Sequence, residues 1–333
     1  MKKIGLTLGK FAPLHKGHQF MIETALSEMD ELFILIYDAP ISNIPLSVRA
    51  DWLRKIYPST HIIEGWDGPD GQSNDRSFEI MQENYILGML NGQKITHFYS
   101  SEEYGAHVSK ALGAVDRRVD VSRTNIPISA TMIRNNPFAS RDYIDDAVYP
   151  DLISKIVFLG AESTGKSTIA KALAERYNTS FVSEYGRDYW FEHQIDGKLS
   201  LEDMNQIALG HLKREEEEVL KADKYLFIDT NAITTYMFSK YYHNQALDIL
   251  TGLADNCASR YDLFFLCETD IPFEDTWDRS GKRHQLIFQK QIIADLKERR
   301  IPYITLSGIL EERMQKVGRV LENFQKYSNY FAE

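Results

Sequence analysis

The sequence predicts an α/β protein built from two consecutive parallel-sheet domains. Three observations support this prediction: a strand–helix–strand unit at residues 3–37, an apolar strand that leads into a glycine-rich loop and a helix at residues 156–177, and a length of 333 residues. A chain of that length suits two hydrophobic cores of ordinary size. Because the second pattern opens a new sheet, we predict domains at residues 1–150 and 151–333.

Composition excludes several classes of protein. The formal net charge is -10 and no run of Lys or Arg is long enough to follow a nucleic-acid backbone, so we expect no direct binding of nucleic acid. We expect no signal peptide, no membrane span and no helix-turn-helix segment before the first strand. Cys257 and Cys267 lack C-x-x-C spacing, which predicts buried thiols in a reducing, cytoplasmic compartment. The acidic run Glu215–Glu218 is predicted to form a solvated helix face.

Alternating strands and helices are predicted along the first domain. Apolar runs at residues 3–8 and 31–37 indicate strands, and between them apolar residues recur at helical spacing over 17–29. Further strands are expected at 61–66 and 96–100, and helices at 46–57, 77–90 and 102–112.

A pair of histidines stands at the first strand-to-helix turn. This turn reads Gly9-Lys10-Phe11-Ala-Pro-Leu-His15-Lys-Gly17-His18. In parallel α/β sheets such turns lie at the carboxyl edge of the strands, where ligands bind and where a helix N-terminus favours phosphate. Two histidines three residues apart also fit half of a metal site or an unremarkable surface pair.

Family resemblance favours the phosphate interpretation. The stretch His15-x-Gly17-His18 resembles the HxGH motif of the nucleotidylyltransferase superfamily, and Ile-Ser-Ala-Thr-Met-Ile-Arg at 128–134 resembles its ISxTxxR motif. The resemblance implies a Rossmann-like domain in which the histidines hold ATP phosphates and stabilise the transition state of adenylyl transfer. The nucleotide-binding residues that it implies, besides the catalytic His15 and His18, are Gly9, Lys10, Phe11, Ser129, Thr131 and Arg134.

The second domain begins with a complete G-x-x-x-x-G-K-[ST] loop. Such a P-loop cradles nucleotide phosphates with backbone amides, directs its lysine at the β and γ phosphates and offers a hydroxyl to Mg²⁺. It predicts ATP or GTP as ligand and does not reveal the acceptor. The residues concerned are Gly160, Glu162, Ser163, Thr164, Gly165, Lys166, Ser167 and Thr168.

An apolar strand that ends in Asp229 has the placement of a Walker B carboxylate for Mg²⁺. An apolar strand ending in Asp is also common without any metal. The remaining rhythm of the domain is again α/β. Strands are expected at 180–183, 224–229, 262–267 and 303–306, and helices from 184 to 194, at 201–222 and on either side of the last strand.

Residues for the phosphoryl acceptor are predicted opposite the P-loop. The stretch after the strand at 180–183 carries Glu184, Tyr185, Arg187 and Asp188, and a carboxylate there can bind ribose hydroxyls or take the proton of the attacking hydroxyl. Whether Glu184 or Asp229 is that base stays open. The cations Arg279 and Arg283 suggest a lid over the phosphates, with a solvated loop as the alternative. Trp66 is an aromatic candidate for a flat ring, although a Trp at a strand end is more often packed.

Taken together, nearly the whole chain resembles the NadR-type bifunctional proteins. The Gly-Lys-Phe-x-Pro-x-His-x-Gly-His turn, ISATMIR, the P-loop, Glu-Tyr-Gly-Arg and Phe-Ile-Asp-Thr at 227–230 occur in that order. The resemblance implies a P-loop kinase that phosphorylates nicotinamide riboside to nicotinamide mononucleotide (NMN), and a first domain that adenylylates NMN to NAD and pyrophosphate. ATP and Mg²⁺ are the implied cofactors. The lid differs from the family's pattern, since Trp277-Asp278-Arg279 stands where Asp-Gly-x-Arg is expected.

Other functions stay open at this level. One is a kinase and adenylyltransferase for another vitamin-derived acceptor of the flavin or pantetheine type, and another is a nucleotide-sensing regulatory module. Some family members carry an N-terminal DNA-binding segment, which we do not expect in this chain. Partners are expected to be small molecules, without membrane insertion. A homo-oligomer and functional coupling to a riboside transporter are compatible with the resemblance.

Overall fold

The structure is a computed structural model that describes residues 2–38, 43–69, 75–102, 105–272 and 282–328. It divides into two compact units. One comprises Met1–Tyr149 with Tyr327–Glu333, and the other comprises Pro150–Lys326. Among the described helices, none has both the length and the apolar character needed to cross a bilayer.

The first unit contains a five-stranded, fully parallel sheet. Its strands are β1 (Ile4–Gly9), β2 (Glu31–Tyr37), β3 (His61–Gly65), β4 (His97–Ser100) and β5 (Val115–Arg118), in the spatial order β3-β2-β1-β4-β5. The helices are α1 (Lys16–Glu28), α2 (Leu46–Ile56), α3 (Arg76–Met89), α4 (Gly105–Leu112) and α5 (Ala130–Asn135), followed by a 3₁₀ turn at Arg141–Tyr143. The short helix α6 (Tyr149–Leu152) includes Tyr149 of this unit and the first three residues of the next. The strand order reverses at β1, so the turn after β1 lies at the topological switch point, where ligands bind in such sheets.

Strand β5 is missing from the sequence-based prediction. Its sequence is Val-Asp-Arg-Arg, and three of its four residues are exposed. A polar edge strand has no apolar alternation, so only its pairing with β4 through register pairs such as Phe98↔Asp116 identifies it. The core of the sheet lies elsewhere, around Leu6, Leu35 and Phe98.

A second parallel sheet of five strands forms the other unit. Its strands are β6 (Ser154–Leu159), β7 (Phe181–Val182), β8 (Tyr225–Asp229), β9 (Leu263–Cys267) and β10 (Ile304–Leu306), in the order β10-β9-β6-β8-β7. The helices are α7 (Lys166–Tyr177), α8 (Tyr185–His193), α9 (Leu201–Val219), α10 (Ala232–His243), α11 (Asp248–Asp255), α12 (Cys257–Arg260), α13 (Lys282–Glu298) and α14 (Leu310–Asn323). The predicted α/β class with two parallel sheets is confirmed. Helices α10, α11 and α12 were not predicted.

One sequence-based expectation about this unit is wrong. Glu215 is not part of a solvated face but is 1% exposed, because α9 turns it inward against Arg260 and Tyr261. The burial of Glu215 cannot be recognised from the acidic run, because an α-helix directs four consecutive side chains in different directions and only one of them faces the core here. Both cysteines, Cys257 and Cys267, are free and buried as expected.

Candidate active sites

The turn between β1 and α1 places the two histidines face to face. His15 caps the N-terminus of α1, because its Nδ1 accepts hydrogen bonds from the backbone amides of Gly17 (3.1 Å) and His18 (3.4 Å). An accepting Nδ1 puts the proton of the neutral ring on Nε2. The His15 and His18 rings stack with centroids 3.8 Å apart. The helix cap therefore also orients an imidazole N–H donor.

Space is limited at the glycine between the histidines. A Cβ at Gly17 would lie 3.0 Å from Cε1 and 3.1 Å from Nδ1 of the His15 ring. Those contacts are tight, so a side chain at this position would push the His15 ring aside by a few tenths of an ångström. Glycine in the His-x-Gly-His motif therefore leaves room for the capping ring.

Both imidazoles are held uncharged at neutral pH. Burial, with Arg123 nearby, lowers the pKa of His15 to about 4. Burial, His15 and Arg123 lower the pKa of His18 well below its usual value. Nδ1 of His18 is buried and has no hydrogen-bond partner among the described residues. A phosphate group bound at this turn would bring a negative charge beside the two imidazoles.

Arg123 is a cation that sequence reasoning missed. Its backbone is left-handed, with φ 52°, in a turn held by Asp120, whose carboxylate accepts the amides of Asn125 and Ile126, each at 3.0 Å. A non-glycine residue in this region is uncommon and marks a position worth testing for function. The segment Ser-Arg-Thr-Asn before ISATMIR offers turn-forming residues as its only sequence signal.

The ISATMIR segment meets the histidine turn, as the two motifs predict. Ser129 caps α5 by accepting the amide of Met132 at 3.3 Å. Arg134 donates to the carbonyl of Ala12 at 2.6 Å and to the hydroxyl of Thr131 at 2.9 Å. The predicted phosphate-binding cation is thus engaged with the turn itself in this structure. Its role toward a nucleotide stays a prediction.

A second arginine, Arg49, donates hydrogen bonds that support the same turn, and it was not predicted. It is fully buried and donates to the carbonyls of Lys10 and Tyr37 and to the carboxylate of Asp38. Phe11 is also buried, and its ring contacts that of His18 edge-on at 5.0 Å. Lys10 therefore contributes its backbone carbonyl to the structure of the turn, and Phe11 contributes its packed ring. Gly9 ends β1 directly before them.

Trp66 follows β3 and leaves 58% of its surface exposed. It is therefore not a core residue, in contrast to the packing alternative. Its predicted stacking on a nicotinamide ring stays a prediction.

In the second unit, three residues of the P-loop have positive φ values. Gly160, Ser163 and Gly165 have φ values of 144°, 56° and 82°, so successive amides can turn toward one point. A Cβ at Gly160 would lie 2.7 Å from the carbonyl oxygen of Cys267, which explains the glycine. Lys166 donates to the carbonyl of Ala161 at 2.9 Å and lies at the start of α7.

Side chains from two distant helices hold the P-loop backbone. Gln289 of α13 accepts the amide of Ala161 at 2.8 Å and donates to the carbonyl of Cys267 at 3.0 Å. Arg313 of α14 donates to the carbonyl of Thr164 at 2.6 Å. These contacts lie far from the loop in sequence, so no local pattern could have revealed them. They fix the backbone of the loop at Ala161 and Thr164.

Two carboxylates face the P-loop. Asp229 ends β8 beside Phe158 of β6, is 1% exposed, and accepts a hydrogen bond from Ser167. Glu184 follows β7. Burial and the charge of Asp229 raise the pKa of Glu184, while burial raises that of Asp229 against the opposing effects of Lys166 and Ser167. A cation between the two carboxylates would favour their charged forms.

The donor set fits Mg²⁺. Oδ1 of Asp229 is buried and without a hydrogen-bond partner among the described residues, and the neighbouring Ser167 contributes a hydroxyl oxygen. Hard oxygen donors are what Mg²⁺ prefers, usually together with water and substrate phosphates. Within the described part of the chain, no cluster of three His, Cys, Asp or Glu residues could hold a metal by itself. A phosphate ligand would have to complete the coordination.

A cavity of about 1110 Å³ opens beside these groups. All eight predicted P-loop residues line it, together with Glu184 and Arg187. It also carries residues that were not predicted for the site: the aromatic Trp190, Phe191, Phe238 and Tyr242, and His211 of α9. Aromatic walls and a few polar groups are typical of a site for a small ligand with a flat ring.

Four other predicted residues lie outside the wall of this cavity: Tyr185, Asp188, Asp229 and Arg283. Asp188 pairs with Arg214 at 2.8 Å, and the guanidinium of Arg214 lies 4.9 Å from the ring centre of Tyr185. Both predicted substrate contacts are therefore turned toward α9. Arg283 is an exposed residue of α13, and Arg279 lies outside the described residues. The predicted lid is not tested by the structure.

Comparison with known proteins agrees with this arrangement. A cytidylyltransferase-like family model matches residues 6–136, and an AAA domain model matches residues 155–313. The trifunctional NAD biosynthesis/regulator protein NadR of Salmonella typhimurium (strain LT2) is 33% identical over 327 residues, covering 91% of this chain and 78% of the relative.

Two solved structures share the fold over nearly the whole length. NadR protein in complex with NAD and AMP-PNP is 24% identical, with a TM-score of 0.60 and 99% of both chains covered. NadR protein in complex with NR is 23% identical, with a TM-score of 0.61 and 97% of both chains covered. With one third of its residues shared with the Salmonella protein across most of both chains, this chain belongs to the NadR family of NAD biosynthesis proteins.

Proposed function

We propose that the chain catalyses two consecutive ATP-dependent steps of NAD synthesis. Residues 151–333 would phosphorylate the 5′-hydroxyl of nicotinamide riboside, and residues 1–150 would transfer AMP from ATP to the resulting NMN, releasing pyrophosphate. The observation that carries this proposal is the presence of two separate phosphate-binding turns, one after the first strand of each sheet, in a member of the NadR family. A single ATP site would not need both turns.

For the kinase step, the cavity supplies positioning and charge. The P-loop amides and Lys166 would hold the phosphates of ATP, and the riboside would lie between Glu184 and the aromatic wall of Trp190 and Phe191. Glu184 is our candidate to accept the proton of the attacking hydroxyl, since Asp229 and Ser167 provide the oxygens that suit Mg²⁺. Bound there, Mg²⁺ neutralises charge on the transferring phosphoryl group.

The NadR structures support the choice of substrate. One of those NadR proteins is in complex with NAD and AMP-PNP, and the other is in complex with NR. The present cavity combines a phosphate-binding loop, a carboxylate and aromatic side chains, which together suit a phosphate donor, ribose hydroxyls and a planar ring. We therefore propose that the same classes of ligand bind this chain.

For the adenylyl step, the histidine turn would stabilise charge at the α-phosphate. The Nε2–H of His15 and the ring of His18 would donate to phosphate oxygens, while the positive N-terminal end of the α1 dipole favours the same anion. The NMN phosphate would attack the α-phosphorus in line and displace pyrophosphate. Arg123 and Arg134 are the cations available nearby. No covalent intermediate with the protein is required.

An end-point assay tests the proposal. Purified protein is incubated with Mg-ATP and nicotinamide riboside, and NMN, NAD, ADP and pyrophosphate are separated by chromatography. We expect ADP, pyrophosphate and NAD to appear together. NMN that accumulates without NAD would show that the first unit serves another acceptor, and an unconsumed riboside would remove the kinase assignment. Flavin and pantetheine precursors serve as competing acceptors in the same assay.

We further place the protein in the cytoplasm, where ATP is abundant and where the two free cysteines would stay reduced. Its partners in this proposal are the small-molecule substrates. Self-association and coupling to a riboside transporter are proposals that the family resemblance suggests, and light scattering of the purified chain tests the first of them.

A further inference from the structure

A buried polar cluster lies behind the kinase cavity and takes no part in the chemistry proposed above. Its centre is Glu215 of α9, which is 1% exposed. The carboxylate accepts hydrogen bonds from Arg260 Nε at 2.8 Å and from the hydroxyl of Tyr261 at 2.6 Å. Its Oε1 also lies 3.4 Å from Nε2 of His211, one helical turn earlier. A buried carboxylate is retained only when it is paired in this way.

His211 connects this cluster to the cavity. It is 4% exposed and lies in the cavity wall. Its Nε2 faces two acceptors, Glu215 and the carbonyl oxygen of Thr230 at 3.2 Å. Since neither of them can donate, the proton of the ring must be on Nε2. His211 is therefore a fixed N–H donor to the backbone of Thr230.

Thr230 is an unusual residue to hold. It has a left-handed backbone with φ 67°, although it is β-branched. That conformation is strained for a β-branched residue and persists only where the surroundings impose it. Its amide donates to Phe158 at 3.0 Å, and its carbonyl receives His211. Both backbone polar groups of Thr230, its amide and its carbonyl, are therefore held by hydrogen bonds.

Thr230 lies between two residues whose side chains have defined positions. Thr230 directly follows Asp229, whose buried Oδ1 has no protein partner in the described structure. It precedes Asn231, which caps α10 through a hydrogen bond from the amide of Ile233 at 3.0 Å. A change in the left-handed turn would rotate the Asp229 carboxylate away from Ser167 and the P-loop.

We propose that His211 is a positioning residue of the kinase site. Through its Nε2–H it holds the left-handed turn at Thr230, and the turn directs Asp229 at the phosphate and cation position. Glu215, with Arg260 and Tyr261, holds the imidazole. This inference rests on the proposed function of residues 151–333 as a riboside kinase.

Two amide variants of His211 form a matched test. The longer side chain of His211→Gln can place an N–H close to the position of Nε2, whereas the shorter amide of His211→Asn ends near Nδ1 and cannot reach Thr230. We expect His211→Asn to lower kcat for riboside phosphorylation by at least tenfold and to weaken Mn²⁺ binding, measured by electron paramagnetic resonance with AMP-PNP present, by about tenfold. His211→Gln should retain both within about threefold.

Internal controls separate this test from that of the function. Adenylyl transfer from ATP to NMN by the same variants should be unchanged. The proposal would be overturned if His211→Asn and His211→Gln had equal Mn²⁺ affinities or equal kcat values. A purely structural role of His211 would not depend on where the side chain places its N–H group. If the wild type consumes no riboside, the proposed kinase function is wrong. The comparison of Mn²⁺ affinities between the two variants still tests whether His211 positions Asp229.

Glu215→Gln provides a second route should both His211 variants fold poorly. In either orientation its amide places an N–H group against a donor of the cluster, Arg260 on one side or Tyr261 and His211 on the other, and so loosens the support of the imidazole. We expect at least threefold weaker Mn²⁺ binding in the presence of AMP-PNP, and an unchanged affinity would overturn the proposal.

Discussion

His18 and Lys166 belong to separate units, and each lies in the turn or helix that follows the first strand of its own sheet. His18→Ala should lower adenylyl transfer by at least a factor of about 100, which is typical for the loss of one preorganised donor. Phosphorylation of the riboside should be unaffected. Lys166→Ala should do the reverse. Initial rates of the two half-reactions, each started from its own substrate, provide the measurement.

Lys171→Ala is a suitable control for the second substitution, since this lysine lies on α7 and is absent from the cavity wall. A loss of both activities from either His18→Ala or Lys166→Ala would contradict the assignment of one reaction to each unit.

The pKa of His15 predicts how the stability of the first unit depends on pH. The folded pKa of about 4 is below the ordinary histidine pKa of 6.5, so protonation favours the unfolded chain. The contribution of His15 is fully present above pH 6.5 and is lost progressively as the pH falls toward 4. At pH 5 the loss amounts to about 2 kcal/mol.

His15→Asn isolates this contribution, because asparagine is a good N-cap but does not titrate. Its unfolding free energy should change less between pH 7 and pH 5 than that of the wild type. Urea unfolding followed by pulse proteolysis, with peptides of residues 1–149 quantified by mass spectrometry, reports the first unit alone. An identical pH dependence in both proteins would show that His15 is not the titrating group.

Glu184 and Asp229 should differ in which property their amide variants lose. Glu184→Gln should lower kcat of the kinase step by about 100-fold or more, because the acceptor of the proton is removed. It should retain the Mg²⁺-dependent part of the thermal shift caused by AMP-PNP. Asp229→Asn should lose that part. The opposite result would exchange the roles of the two residues.

At the scale of elements, α13 supports the P-loop although it comes more than a hundred residues later. Gln289→Ala would leave the buried amide of Ala161 and the carbonyl of Cys267 unpaired, at a cost of about 1 to 3 kcal/mol for each group. We expect the KM for ATP in the kinase step to rise at least tenfold. The KM for ATP in adenylyl transfer should not change, which provides an internal reference.

Gln315→Ala is the matched control for that substitution, since Gln315 is a glutamine of the neighbouring α14 whose hydrogen bond to Glu311 lies on the surface. If both variants raise the KM for ATP equally, the Gln289 hydrogen bonds have no special importance for the loop.

At the scale of the whole molecule, the two units should work through a diffusible intermediate. A mixture of the His18→Ala and Lys166→Ala proteins should therefore make NAD from nicotinamide riboside, after a lag during which free NMN accumulates. Chromatographic time courses of NMN and NAD measure this directly. A mixture that accumulates NMN but makes no NAD, while Lys166→Ala converts added NMN, would indicate that NMN must pass within one chain.

Much of this protein follows from its sequence alone. The α/β class, the two parallel sheets and the positions of the two motif-bearing turns are predictable, because they depend on local patterns: apolar runs at strand spacing, glycines where the backbone turns sharply, and a helix cap such as Ser129. Short motifs imply chemistry for the same reason, since a P-loop carries its amides, lysine and hydroxyl within eight residues.

Contacts between distant segments were decided only by the tertiary structure. The polar edge strand β5, the support of the P-loop by Gln289 and Arg313, and the burial of Glu215 all depend on which elements lie side by side. The aromatic wall of the cavity likewise comes from α8 and α10, while the predicted Tyr185 faces α9. Local sequence sets the backbone and the helix caps, but hydrogen bonds and burial across the chain arise only once the sheets bring these residues together.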